Sequence, residues 1–222
     1  MRLAKDRLDI ALMTDRLEVL EFWRDEVGLA IDEVLPVRRG WVQYRFDLCE
    51  SVFKLNVVDD GVPPGRRSRV VEVVAADAAR AGRSFTDVDG TTIRFVTPGD
   101  EGIDQIAIVL EVTDVAATRA YYVDVLGWEP LGDDAVRCAR SILRWRAAVR
   151  PLAELDDRGW AYLTVQIHEC DAEHAALLAR GATEGAPPVT LGTTARYSLV
   201  RDPDGNWLEI SQRASLTGPL PS

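Results

Sequence analysis

Histidine, cysteine and positive charge are all scarce in this sequence. Its 222 residues include two histidines, His168 and His174, and three cysteines, Cys49, Cys138 and Cys170. An odd, widely spaced set of thiols forms no disulfide framework and suits a reducing cytoplasm. Neither histidine has a context that suggests Ser-His-Asp or Cys-His catalysis. Basic side chains number 26 against 36 acidic, a net charge of −10. That balance argues against a protein that grips a nucleic-acid backbone. No apolar run approaches the ~20 residues of a membrane span, and the opening MRLAKDRLDI has no signal-peptide stretch. Loops of the Walker, Gly-x-Gly-x-x-Gly and Gly-x-Ser-x-Gly types are missing too. The expectation is a cytoplasmic globular protein, monomer or homodimer, whose partner is a small molecule rather than nucleic acid or membrane.

What the sequence does contain is a repeat. Thr14-Asp15, the aromatic pair Phe22-Trp23, Asp25 and Gly28 recur at a constant offset of 99 residues as Thr113-Asp114, Tyr121-Tyr122, Asp124 and Gly127. Each copy reads as a helix opened by a Thr/Asp cap and closed by a glycine. Alternating strands precede them, at 8–13 and 106–112. A second pair, Asp87-Val88-Asp89-Gly90 and Asp202-Pro203-Asp204-Gly205, reads as a tight turn feeding a strand. Strands are expected at 70–74 and 162–167, a full helix at 172–180 and a stunted one at 77–81. Pro/Gly segments at 61–65 and 97–100 separate the units. The fold class is α+β: four βαβββ-type modules, the second degenerate, in two domains at 1–98 and 101–213. The tail 214–222 has too little to bury and is expected to fray.

The run Thr113 to Trp128, with the ending Asp202-Pro203-Asp204-Gly205-Asn206-Trp207-Leu208-Glu209-Ile210, resembles the vicinal-oxygen-chelate superfamily. That group spans glyoxalase I, extradiol dioxygenases and bleomycin-resistance proteins. The resemblance implies paired modules whose curved sheets enclose a cleft, where many members hold a divalent metal on first and last strands. Ala107 stands where metal-binding members carry a first-strand histidine. Tyr162 is the equivalent in the fourth module, Val70 in the second, and Asp9 or Leu8 in the first, with alternation favouring Asp9. Of the last-strand positions, Glu209 keeps the family's carboxylate; the others are Asn56, Arg94 and Arg144. The resemblance without its imidazoles implies no metal and no cofactor.

The candidate catalytic residues are Glu209, as base or acid, and Tyr162, as donor to a substrate oxygen. Gln105, Glu111, Gln166, Arg144, Arg94, Asp9 and Trp207 are the candidate substrate-binding set. Each also has a plainer reading. Glu209 can be a solvated residue or the partner of Arg144, Tyr162 a core aromatic, the arginines surface ion pairs, and His174 a solvent-exposed helix residue. Two functions fit: a metal-independent isomerase, lyase or cyclase acting on a small metabolite, or a bleomycin-resistance-type protein that sequesters its ligand. A metal-dependent glyoxalase or dioxygenase is a second alternative.

Overall fold

Period-two apolar patterns and Asp/Gly turns lay down strands through most of the chain, and helices are few and short. The computed structural model describes residues 1–63, 65, 67–148 and 158–221; Pro64 of the 61–65 segment and Ser222 of the tail lie outside them. The first module is β1 (Asp9–Thr14), α1 (Leu17–Glu21, continued by a π-turn at Phe22–Glu26), β2 (Ile31–Arg38), β3 (Trp41–Leu48) and β4 (Ser51–Val58). The second has only strands, β5 (Val70–Ala76), β6 (Ser84–Thr86) and β7 (Thr92–Val96). The third is β8 (Ile106–Val112), α2 (Val115–Ala120, continued at Tyr121–Val125), β9 (Glu129–Pro130), β10 (Ala135–Cys138) and β11 (Ser141–Ala147). The fourth is β12 (Gly159–Gln166), α3 (Cys170–Ala179), β13 (Thr183–Leu191), β14 (Ala195–Arg201) and β15 (Trp207–Arg213).

The modules pair as outer with outer and inner with inner. One sheet runs β13-β14-β15-β12-β1-β4-β3-β2, joining the fourth module to the first; the other runs β6-β7-β5-β8-β11-β10-β9, joining the second to the third. The seam of the larger sheet is β1 antiparallel to β12, with Asp9 opposite Thr164 and Ala11 opposite Tyr162. Each sheet therefore draws on both 1–98 and 101–213, and these two halves are repeats in sequence rather than separate sheets.

A single apolar core fills the space between the two sheets. Ile10, Leu12, Leu163 and Val165 from one sheet and Val73, Ala75, Ile106 and Ile108 from the other meet Trp23, Tyr122 and Trp160 there. The opposite faces are concave and separate. The Asp-x-Asp-Gly turns act as latches on this core. Asp87 accepts from the Thr91 backbone N–H at 2.8 Å and from the Trp23 indole at 3.2 Å; Asp202 accepts from the Asn206 N–H at 2.8 Å and the Tyr122 hydroxyl at 3.0 Å. Thr14 and Thr113 donate to Asp89 and Asp204 in the same way.

Several local expectations change. Asp114 caps α2, accepting from the Ala117 N–H at 3.0 Å, whereas α1 has no side-chain cap because Asp15 turns to Arg158, 2.6 Å away. Residues 78–82 form turns, not a stunted helix. The tail does not begin frayed: Ala214–Thr217 is a short helix, α4. His174 is buried, 3.1 Å from Glu184.

The two concave faces differ. Between β7 and β8 the chain makes a short turn at Asp100–Gly102 that folds back over the inner sheet. Ile103, fully buried, packs there on Val74, Ala76, Val96, Ala107 and Ile142, and Glu101 pairs with Arg94 at 2.7 Å and Arg144 at 3.2 Å. The inner sheet's hollow is thus filled by its own chain, while the outer sheet's hollow stays open.

Candidate functional site

The open hollow is a cleft of about 450 Å³ on the outer sheet. Alternation builds its floor: with Ile10 and Leu12 committed to the core, Asp9, Ala11 and Met13 fall on the cleft side of β1, buried beneath the lining, and Tyr162 and Gln166 line the cleft from β12. Lys54 and Asn56 rise from β4, Gln43 and Arg45 from β3, and Glu209, Ser211 and Arg213 from β15. The walls are apolar: Leu35 and Val37 on one side, Ala186, Val189, Tyr197 and Leu199 on the other, with Trp41 and Pro63 at one end.

Lys54 is the centre of the floor. Its ammonium lies 3.0 Å from Glu209, 2.7 Å from the Thr164 hydroxyl and 5.3 Å from the centre of the Tyr162 ring. Burial pushes this amine below the ordinary lysine value, although Glu209 and Asp9 pull it back up. Burial likewise holds the Tyr162 phenol above the tyrosine range, and the Glu209 charge adds to the effect. Asn56 is fixed by Trp41 and Gln43, each donating to its amide oxygen at 3.0 Å. Arg45 and Arg213 both pair with Glu33, at 3.0 and 2.8 Å. Asp9 is neutralised by Lys5 at 2.6 Å and accepts from Gln166 at 3.3 Å.

The candidate residues divide between places. Glu209, Tyr162 and Gln166 come together on this floor, and Asp9 lies buried beneath it, bonded to Gln166. Trp207 sits on the same strand but turns under Gly185, its indole donating to the Gly65 carbonyl at 2.7 Å. Gln105 is buried between segments, bonded to Ser51 and Ser141 at 2.6 Å each. Arg94 and Arg144 hold the turn that fills the inner sheet, so Arg144 is the partner of Glu101 and not of Glu209. Glu111 pairs with Arg146 at 2.9 Å on the inner sheet. These four lie away from the open cleft.

Lys54, Arg45 and Arg213 line the cleft and are missing from the sequence candidates, and Lys54 is the most central of them. The signal for Lys54 is a lone charge in the otherwise apolar run Val52-Phe53-Lys54-Leu55, two positions from Asn56. The donor set here does not fit a divalent metal. One carboxylate, Glu209, faces the cleft centre and already holds an ammonium, and its other neighbours are a phenol, a hydroxyl and amides. Among the described residues, no three His, Cys, Asp or Glu side chains converge.

The Glyoxalase/Bleomycin resistance protein/Dioxygenase superfamily matches residues 102–210. Among solved structures, glyoxalase I from Zea mays is similar at a TM-score of 0.70 and 11% identity, over 95% of this chain and 92% of that one. A putative dioxygenase from Bacillus subtilis is similar at a TM-score of 0.65 and 13% identity, over 96% and 85%. No curated protein matches the sequence. No helix among the described residues is long and apolar enough to cross a membrane.

Proposed function

Residues 102–210 match the Glyoxalase/Bleomycin resistance protein/Dioxygenase superfamily, and from that premise we propose that the protein is a metal-independent enzyme of this superfamily moving a proton on a small metabolite in the outer-sheet cleft. The observation that carries this reading is the ammonium of Lys54 held 3.0 Å from Glu209 at the cleft floor. Glu209 takes a proton from the carbon beside a substrate carbonyl, and the electron pair left behind moves onto the carbonyl oxygen. Lys54 and Tyr162 are the donors available to that oxygen. Returning the proton to another carbon isomerises the substrate; expelling a leaving group instead makes the step an elimination. The cation that the family often supplies as a metal is here a side chain.

The choice of lysine supports a role in proton transfer. Only two of the chain's 26 basic side chains are lysines, Lys5 and Lys54. Arginine supplies nearly every other ion pair, yet the cleft floor carries the one basic side chain able to release a proton when buried. The apolar walls favour a second reading, a cytoplasmic sequestering protein that returns its ligand unchanged.

Incubation with a metabolite pool in deuterated water separates the two. Catalysis yields a product, or a substrate that gains deuterium at carbon, and Glu209→Gln slows this by about 100-fold. A bound compound recovered with its mass and structure unchanged would establish sequestration instead.

A further inference from the structure

The cleft floor is graded from one end to the other. Along β3 the order is Trp41, Gln43, Arg45; along β4 it runs from Asn56 to Lys54; along β12 and β15 it runs from Tyr162 to Gln166 and from Glu209 to Arg213. Lys54, Arg45, Glu209 and Arg213 therefore lie toward one end of the floor and Trp41 at the other, where Arg38 stacks on its ring at 5.0 Å, while apolar side chains such as Val189, Tyr197 and Leu199 border the floor along its length.

The cleft lining is basic in a chain whose net charge is −10: Lys54, Arg45, Arg213 and Arg38 line it against the single acid Glu209, and Glu33 pairs with Arg45 and Arg213 from outside the lining. Arg45 and Arg213 share the single carboxylate of Glu33, Arg45 also donating to Gln43 and Arg213 to Ser215, and each guanidinium has five N–H donors, more than these bonds use, at the edge of the cleft both residues line. Gln166, also lining the cleft and only 2% exposed, has an amide oxygen without a hydrogen-bond partner. A buried acceptor of this kind asks for a donor.

We infer that the ligand is a hydroxylated organic acid with an apolar, ring-sized body. Its carboxylate lies at the Arg45–Arg213 end, its hydroxyl donates to Gln166, and its body lies against Tyr162, Trp41 and Leu199. Guanidinium suits the planar carboxylate, and the open volume suits a small ring. This rests on the reading of the outer-sheet cleft as the working site.

Calorimetry with three probes tests it: 2-hydroxy-3-phenylpropanoate, 3-phenylpropanoate and 3-phenylpropanamide. The expected order of affinity is hydroxy acid, acid, amide, with the amide about 10-fold or more weaker than the acid. Arg213→Gln should weaken both acids and leave the amide unchanged. Gln166→Leu should erase the preference for the hydroxy acid over the acid. Equal binding of acid and amide overturns the acid class while the cleft still binds. Absence of binding by all three probes also overturns the acid class, and the deuterium experiment then judges the cleft by itself.

Discussion

Lys54 and Glu209 are 155 residues apart in sequence and 3.0 Å apart in space, and their side chains are 4% and 12% exposed. A buried pair of this kind is costly to break from one side, because the survivor keeps its charge without a partner. Lys54→Met should therefore lower stability by about 3 kcal/mol. Adding Glu209→Gln to it should cost less than the sum of the single changes. Urea unfolding of the four proteins in a double-mutant cycle measures that coupling. Additive effects would mean the pair does not act as a unit.

Three tyrosines give the protein an alkaline limit. Burial raises the phenols of Tyr121, Tyr122 and Tyr162 above their ordinary value of 10.0. A folded-state pKa raised above the unfolded one contributes stability that is complete below the unfolded pKa and lost as pH climbs above it. Lys54, with its pKa lowered, works in the opposite sense, but that effect is complete once pH passes the ordinary lysine value of 10.5. Stability should thus fall above pH 10.5, with phenolate absorbance appearing together with loss of structure. Phenolate absorbance that developed fully in a protein still folded would contradict this.

The latches of the Asp-x-Asp-Gly turns should be unequal in their parts. Tyr122→Phe removes one hydrogen bond to Asp202 and should cost about 1 kcal/mol. Asp202→Ala also strands the Asp204 and Asn206 N–H groups and the Tyr122 hydroxyl, and should cost about 3 kcal/mol. Chemical denaturation midpoints provide the comparison, and equal costs would argue against the shared carboxylate as the anchor.

Gly185 is a test of close packing. A Cβ there would lie 2.8 Å from the Trp207 ring and 3.2 Å from the Leu199 carbonyl oxygen, at a point where β13 slips register against β14. Gly185→Ala should cost about 1–3 kcal/mol and shift tryptophan emission as the indole moves. A wild-type spectrum with unchanged stability would show that the strand gives way freely.

The parts of this molecule legible in the sequence are those set over short range. The constant offset of Thr14 and Thr113, the Asp-x-Asp-Gly turns and strand alternation place nearly every element, and alternation alone puts Glu209, Tyr162, Gln166 and Asp9 on one face. Lys54 escaped because its meaning depends on β4 lying two strands from β12 across the β1 seam, a relation between the first and fourth modules. Arg94 and Arg144 occupy equivalent strand positions, yet there the hollow is closed by Glu101 and Ile103. Nothing in the spacing of 97–105 distinguishes a linker from a plug.

The order of pairing also sets a schedule for synthesis. The inner sheet is complete in residues 70–147, so it can close while the chain is still being made. The strands of 9–58 gain their seam only when Gly159–Gln166 has emerged, and the carboxylate facing Lys54 arrives later still, at residue 209. Until then β1 has an unpaired edge, a feature that invites pairing with other chains. The outer-sheet cleft is completed only with β15, and any chain cut short before β15 carries the Lys54 ammonium without Glu209.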